Sequence, residues 1–374
     1  MNKLIRITQY DLVENDNGYY RHLQLQQDSN EKNKMNQFEG FSDIDMIFWY
    51  IHQQKHLDKS KENSKRTKIE YTRELKQFIS HLLKYGQEMQ LDVEEDMSES
   101  ILKHIESRHL RKYQEWLATS SPYIKAGRSY SPATLSRKTT ILKSFFTFLY
   151  ESKYTLHNAA VGLKIASVRK DDRPNKDLGP VEVQRILDGL LEVDLRYYTM
   201  VLTLVTTGLR NEELCNLTMG NIKQDTIIGG YYFEVVGKGN KKRDVPIKRS
   251  VLDKIINYRA AYYLSSLHES KEEDPVFVTR NGKKYTPSYL AQALKKVIHE
   301  KLSHLHIQNN VTIHSFRHAY AIISHLNKVD VYDIMRSLGH EKIDTTMIYL
   351  QKVIDRSNNA IYSWNDNVLG SHLQ

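Results

Sequence analysis

Apolar residues recur along this chain mainly at helical spacing. Leu75, Phe78, Ile79, Leu82 and Leu83 step by three and four and make one buried stripe, which predicts a helix over residues 64–85. Residues 99–118 read as a helix too. The segment SPATLSRKTTILKSFFTFLYESKY opens with Ser131 as a cap and Pro132 at the first helical position, and Ile141, Leu142, Phe145, Phe148 and Leu149 form its buried face. We place Arg137, Lys138 and Lys143 away from that face. A shorter helix is expected near residues 158–166. Upstream, FSDIDMIFWYIHQQKH has Ser42 as a cap, Asp43 and Asp45 in the first turn, and Ile44, Ile47, Phe48 and Ile51 at helical spacing. Residues 1–40 show no strong period and are rich in Asn, Gln, Asp and Glu. They read as a loosely ordered extension.

The second half mixes periods. PVEVQRILDGL reads as a helix. YYTMVLTLVTTGL is apolar throughout and suits a buried helix, although its β-branched residues also suit a strand. TIIGGYYFEVVGKGNKKRDVPI reads as strand, Gly-rich turn, strand, and PVFVTRNGKKYT as a further strand with an Asn-Gly turn. Helices are expected at about 287–300, 314–327, 330–338 and 343–350. The fold class is therefore mainly α with a small antiparallel β-sheet. The charged, low-apolar SVRKDDRPNKD (residues 167–177) reads as a linker between two domains, and 374 residues are comfortable for two.

Charge changes this picture. The net charge is +9, and it is uneven: −3 over residues 1–50, +8 over 51–178 and +4 over 179–374. A polyanionic partner is expected, with the middle segment as its footprint. No run approaches the roughly 20 apolar residues of a membrane span, and the N-terminus lacks a secretory pattern. The single cysteine, Cys215, excludes an internal disulfide framework, fits a reducing cytoplasm and reads as a small core residue.

Four short segments carry candidate chemistry: TTGLRNEEL with Arg210, VVGKGNKKR with Lys238, HSFRH with His314, Arg317 and His318, and LGHEKIDTTMIYL with His340 and Tyr349. Each alone is weak. His314 and His318 have the spacing of two metal ligands on one helix face, but Ser315 stands where a metalloprotease needs Glu, and no third ligand is evident nearby. No metal is expected. VVGKGNKKR lacks the spacing and the Ser/Thr of a phosphate-binding P-loop, and no carboxylate cluster suggests two-metal cleavage.

Together and in this order, the four segments resemble the tyrosine recombinases, most closely the bacterial Xer recombinases and phage integrases. The likeness runs from about residue 60 to 352, loosely at first and tightly over the four segments. It implies a two-domain clamp: an N-terminal extension with one amphipathic helix (1–58), a helical core-binding domain that contacts DNA (59–166), the linker (167–177), a catalytic domain (178–352) and a C-terminal tail (353–374). It implies a site-specific recombinase that cuts and rejoins DNA through a 3′-phosphotyrosyl intermediate, with no cofactor, no metal and no ATP. Tyr349 is the nucleophile. Arg210 and Arg317 grip the non-bridging phosphate oxygens, because a guanidinium is planar, always charged and able to bind two oxygens. Lys238 is the general acid for the 5′ leaving oxygen. His314 and His340 assist at the phosphate, His318 supports the pocket, and Glu213 orients its neighbours.

The resemblance further implies double-stranded recombination sites as partner, a homotetramer on two such sites, possible accessory proteins of the same element, no membrane, and a cytoplasmic, nucleoid-associated location. Arg137, Lys138 and Lys143 are the expected DNA contacts of the helical domain. In the tail, Ile361, Trp364, Val368 and Leu369 offer apolar anchors for packing on the same subunit or on a neighbour. The acidic stretch ahead of the helical domain favours an integrase or transposase of a mobile element. A Xer-type dimer resolvase is the alternative. A type IB topoisomerase and a non-catalytic DNA-binding descendant fit less well.

Overall fold

The computed structural model describes residues 17–55, 57, 62–91, 100–122, 130–167, 176–237, 240–305, 307 and 311–364. Lys238, most of the 167–177 segment, Val368 and Leu369 lie outside them. The chain divides into two compact units, Met1–Arg173 and Pro174–Gln374.

The first unit is helical: α1 Asn17–Lys32, α2 Asp43–His52, α3 Lys65–Tyr85, α4 Ser107–Thr119 and α5 Pro132–Glu151. Local signals set the ends as expected. Ser42 caps α2 in a capping box with Asp45, and Ser131 caps α5 with Pro132 in its first turn. The Phe78, Phe145, Phe146 and Leu149 side chains lie at the centre of one shared core.

Four expectations change here. Residues 17–40 are not a loose extension. Leu23, Phe38 and Phe41 are buried in the same core as α3 and α5, and Tyr19 and Tyr20 pack their rings on Phe48 and Trp49 at 5.0 and 5.2 Å. In α1 the inner face is Tyr19, Tyr20, Leu23, Gln26, Gln27 and Asn30, half of it polar and too weak an apolar stripe to read. Residues 158–166 form turns rather than a helix. Asn158 Oδ1 accepts from the Ala160 amide, and Gly162 adopts φ +91°. The expected 99–118 helix begins only at Ser107, after a short 3₁₀ turn at Leu102–His104. The buried Asp43 carboxylate accepts from the Ile101 and Leu102 amides at 2.8 and 3.1 Å at the start of that turn.

The fourth correction concerns Lys138. It is 8% exposed, and its ammonium donates to Glu74 Oε2 at 2.6 Å and to Gln77 Oε1. It stands three, four and seven residues before Ile141, Leu142 and Phe145, so it lies on the apolar stripe itself. Its charge is balanced inside the helix packing and does not face outward. Arg137 and Lys143 are exposed; Arg137 pairs with Glu70.

The second unit contains α6 Pro180–Val193, α7 Leu195–Thr207, α8 Asn211–Asn216, β1 Ile222–Gln224, β2 Tyr231–Val236, β3 Lys242–Ile247, α9 Arg249–Ala261, α10 Pro287–Lys301, α11 Ile313–Leu326, α12 Val331–Leu338 and α13 Ile343–Ser357. The sheet is antiparallel in the order β1-β2-β3, with Phe233 opposite Val245. Its inner face, Phe233, Val235, Val245 and Ile247, joins the core around α7. The ambiguous YYTMVLTLVTTGL segment is helix α7, with Met200, Val201 and Leu204 buried. PVFVTRNGKKYT makes only isolated bridges, Thr218 with Pro275 and Val278 with Lys284. Val276, Phe277 and Val278 are buried in succession, which an alternating strand on one core face would not do. Among the described residues no helix is long and apolar enough to cross a membrane. In the tail, Ile361 and Trp364 are exposed.

Candidate active site

Two left-handed glycines organise this site. α7 ends at Gly208 and α12 at Gly339, each with φ +63°. A Cβ on Gly208 would come within 2.8 Å of Leu338, and one on Gly339 within 3.1 Å of Arg243. Both positions need glycine for conformation and for space. The turns carry the chain off the two helix ends and present Arg210 and His340 just beyond them.

Arg317, from α11, lies between those ends and is 1% exposed. Nη1 donates to the Gly208 carbonyl, and Nη2 donates to the Leu338 carbonyl at 2.6 Å and to His340 Nε2 at 2.9 Å. Helix C-termini present unfilled carbonyls and partial negative charge. The buried cation is therefore held where two such ends converge. Burial, then repulsion from Arg210, lower its pKa to about 10, so it remains charged at neutral pH.

Arginine can only donate, so His340 Nε2 accepts and its proton sits on Nδ1. Nδ1 then donates to Thr346 Oγ1 at 2.9 Å. Thr346 is fully buried on α13, one turn before Tyr349. Burial, with Arg317 and Arg210 nearby, holds His340 at about 3, hence neutral.

Arg210 caps α8. Its amide donates to Glu213 Oε2 at 2.7 Å, Nη1 to Glu213 Oε1 at 2.8 Å, and Nη2 to the Gly339 carbonyl at 3.2 Å. A third of its side chain stays exposed, enough to meet a ligand. Arg243, from β3, reaches the same carboxylate with Nη1 and Nη2 at 2.7 and 2.8 Å. Burial alone would raise the Glu213 carboxyl, but the donors from Arg243 and Arg210 outweigh it and hold it at about 2.

Tyr349 is 6% exposed on α13 and joins a small core of Ala321, Ile322, Ile334, Leu338 and Leu350. Its hydroxyl lies 3.3 Å from His314 Nε2. Its ring centroid is 4.0 Å from that of His318 and 5.4 Å from that of His340. His318 Nδ1 is 3.7 Å from Asp177. His314 is exposed along one side of its ring. Burial of the rest of the ring, then His318, Lys176, Arg317 and Arg210, hold it at about 4.

Arg210, His314, Arg317, His340 and Tyr349 are thus brought together, with Glu213 and His318 beside them. Lys238 lies outside the described residues; beside it, the Gly237 amide donates to the Lys241 carbonyl at 2.8 Å. Arg243 belongs to this group, and nothing local in the sequence distinguishes it from the other cations of GNKKRDVPI. Cys215 is buried, and burial pushes its thiol up to about 12, as suits a core residue. Among the described residues no group of three or more His, Cys, Asp or Glu could hold a metal ion.

These groups set an acid limit on stability. Folding lowers His340 from 6.5 to about 3 and Glu213 from 4.5 to about 2. The unfolded chain therefore binds protons that the folded chain refuses, and stability falls as pH drops below 6.5. The melting temperature is expected to be level near pH 7 to 8 and to decline steadily below it. His340→Gln should flatten the upper part of that decline, measured by thermal melts across pH. His81 and His314, which folding lowers from 6.5 to about 4, should keep the remainder of the decline, and an unchanged slope would remove His340 as a contributor.

The sequence model of the Phage integrase family matches residues 176–355, the span that holds every member of this site. A tyrosine recombinase XerC from Rickettsia bellii is 27% identical over 319 residues, covering 82% of this chain and 93% of that protein. Among solved structures, the XerH site-specific recombinase in a post-cleavage complex with palindromic difH substrate aligns with TM-score 0.59 and 19% identity, over 80% of this chain and 81% of that one. The Tn1549 transposon integrase in complex with circular intermediate DNA aligns with TM-score 0.55 and 18% identity, over 81% and 94%. These matches share the helical fold with its small antiparallel sheet, and with the family model and the XerC relative they lead to one assignment: the chain belongs to the tyrosine recombinase, or phage integrase, family, and is a site-specific recombinase that cuts and rejoins DNA through a phosphotyrosine.

Proposed function

We propose that Tyr349 is the nucleophile of this recombinase and that Arg210, Lys238, His314, Arg317 and His340 complete its catalytic set. The observation that carries this reading is the placement of the Tyr349 hydroxyl. It lies 3.3 Å from a neutral imidazole, His314, and its ring lies beside His340, whose Nε2 rests on the Arg317 guanidinium. His314 Nε2 can take the phenol proton as Tyr349 Oη attacks phosphorus. A guanidinium has five N–H donors, and Arg317 spends three on Gly208, Leu338 and His340. A further interaction runs to the Tyr349 hydroxyl, and what remains is left for a phosphate oxygen. Arg210 supplies the second cation from a partly exposed position. Both stabilise the charge that gathers on the phosphoryl oxygens in the transition state. The 3′ phosphate passes to Tyr349 while the 5′ oxygen leaves with a proton. Reversal by another 5′ hydroxyl rejoins the strand, so no external energy source enters.

Lys238 is assigned that leaving-group proton. An alkoxide leaves poorly without one, whereas a thiolate leaves readily. Lys238→Ala should cleave ordinary DNA poorly and recover most of its rate on DNA with sulfur at the bridging 5′ position, measured by covalent-adduct gels. Arg210→Ala should gain nothing from sulfur. If sulfur fails to rescue Lys238→Ala, the proton comes from elsewhere.

The first unit is proposed as the core-binding domain and the second as the catalytic domain, together a clamp on duplex DNA, in a homotetramer on two sites. Arg137 and Lys143 remain the proposed DNA contacts on α5. We assign the protein to a mobile element, as integrase or transposase. In support, the XerC match covers nearly all of that protein but leaves part of this chain over. The N-terminal stretch is also acidic, unlike an arm that binds DNA. Adducts mapped to the two ends of an inserted segment carrying this gene would fit that role. Adducts confined to a chromosomal dimer-resolution site would support the Xer-type alternative.

A further inference from the structure

Arg243 lies outside the proposed catalytic set, yet it makes the fuller grip on Glu213. Each Glu213 oxygen receives two donors. Oε1 takes Arg210 Nη1 and Arg243 Nη1, and Oε2 takes the Arg210 amide and Arg243 Nη2. The Arg210 guanidinium spends one donor on this carboxylate, while Arg243 binds it with two. Arg243 is also the more enclosed, with 15% of its side chain exposed against 33% for Arg210. Its stem runs against Gly339, whose carbonyl accepts from Arg210 Nη2.

We propose that Arg243 is a positioning residue for Arg210: it takes up the negative charge of Glu213, so that Arg210 meets the scissile phosphate as an effective cation in a fixed orientation. This rests on the reading of Arg210 given above. Glu213 orients Arg210 through its amide and its guanidinium, but a buried carboxylate at 2.8 Å would also cancel the cation it orients. A phosphate approaching that pair alone would meet little net charge. With Arg243 the cluster of two arginines and one carboxylate carries a net positive charge, and the bidentate fork fixes the carboxylate in the plane that aims Arg210. The β3 strand supplies this second cation from behind, where it need not touch DNA.

The test compares two duplexes that carry the cleavage position at which the wild-type adduct maps. One has an ordinary phosphodiester there; the other has a methylphosphonate, which lacks the negative charge. R243Q should lower adduct formation on the phosphodiester by about 10²-fold, the size of losing one transition-state donor. On methylphosphonate, measured against wild type on the same duplex, the loss should shrink severalfold or more. In the R210A background, R243Q should cost no more than about twofold further, because two residues acting through one group are not additive. Equal losses on both duplexes, undiminished without Arg210, would show that Arg243 only supports the fold and would overturn the proposal. R243K, which keeps the charge without the fork, serves if R243Q does not fold. It should show a smaller loss with the same dependence on phosphate charge, and a loss independent of that charge would again overturn the proposal. Absence of any adduct with the wild-type protein would instead remove the reading of the site itself.

Discussion

Tyr349→Phe is expected to fold, to bind DNA as the parent does and to form no covalent adduct. The phenol lies 3.3 Å from His314, near the long limit of a hydrogen bond, and also interacts with the Arg317 guanidinium. Its loss should cost at most about 1 kcal/mol of stability. The ring packing on His318 and the small core beneath it survive in phenylalanine. Cleavage should fall by roughly four orders of magnitude or more, as for loss of a covalent nucleophile. Thermal melts, DNA-binding titrations and adduct gels on one preparation check all three statements. Residual adduct near the parent level would place the nucleophile on another tyrosine.

The second large effect is expected at Arg317. Lysine keeps the charge but offers one nitrogen where the guanidinium spans Gly208, Leu338 and His340. At least one carbonyl at a helix end would lose its donor in a buried place, at about 1–3 kcal/mol. His340 would lose the partner that fixes its tautomer, and the phosphate would lose a planar grip. Arg317→Lys should therefore lower the melting temperature and also reduce cleavage at least about a hundredfold, or roughly 2.7 kcal/mol. The same two assays check this. Near-normal cleavage would remove Arg317 from the site. A lower melt with cleavage intact would leave it a purely structural cation.

The helices that carry the site were legible because their signals are local. Ser131-Pro132 starts α5, and the Gly-Leu-Arg and Leu-Gly-His runs mark the helix ends from which Arg210 and His340 emerge. The β2-turn-β3 hairpin could be read from its strand-turn-strand pattern, but the three-residue β1 could not, and PVFV stays outside the sheet. What escaped depends on contacts between distant segments. The charge of Lys138 suggests an outward place, although its register on α5 sets it inward, and its partner Glu74 lies 64 residues away. Residues 17–40 looked too polar to pack, yet a few aromatic and aliphatic side chains suffice once Phe48 and Trp49 offer them a surface. Arg243 had no local mark among the cations of its hairpin. Only the carboxylate of Glu213, 30 residues earlier, distinguishes it.

The most direct measurement is the chemical identity of the protein–DNA bond. The wild-type protein is incubated with duplexes from DNA flanking its gene, the covalent complex is isolated, and trypsin and nuclease reduce it to a peptide bearing a nucleotide remnant. The chain has 24 tyrosines, so the assignment is exposed to failure. Cleavage after Lys342 and Lys352 gives IDTTMIYLQK, in which Tyr349 is the one tyrosine. The account predicts that the remnant sits on Tyr349 of this peptide, joined to a 3′ phosphate. A remnant on any other residue, or a 5′ linkage, would contradict it.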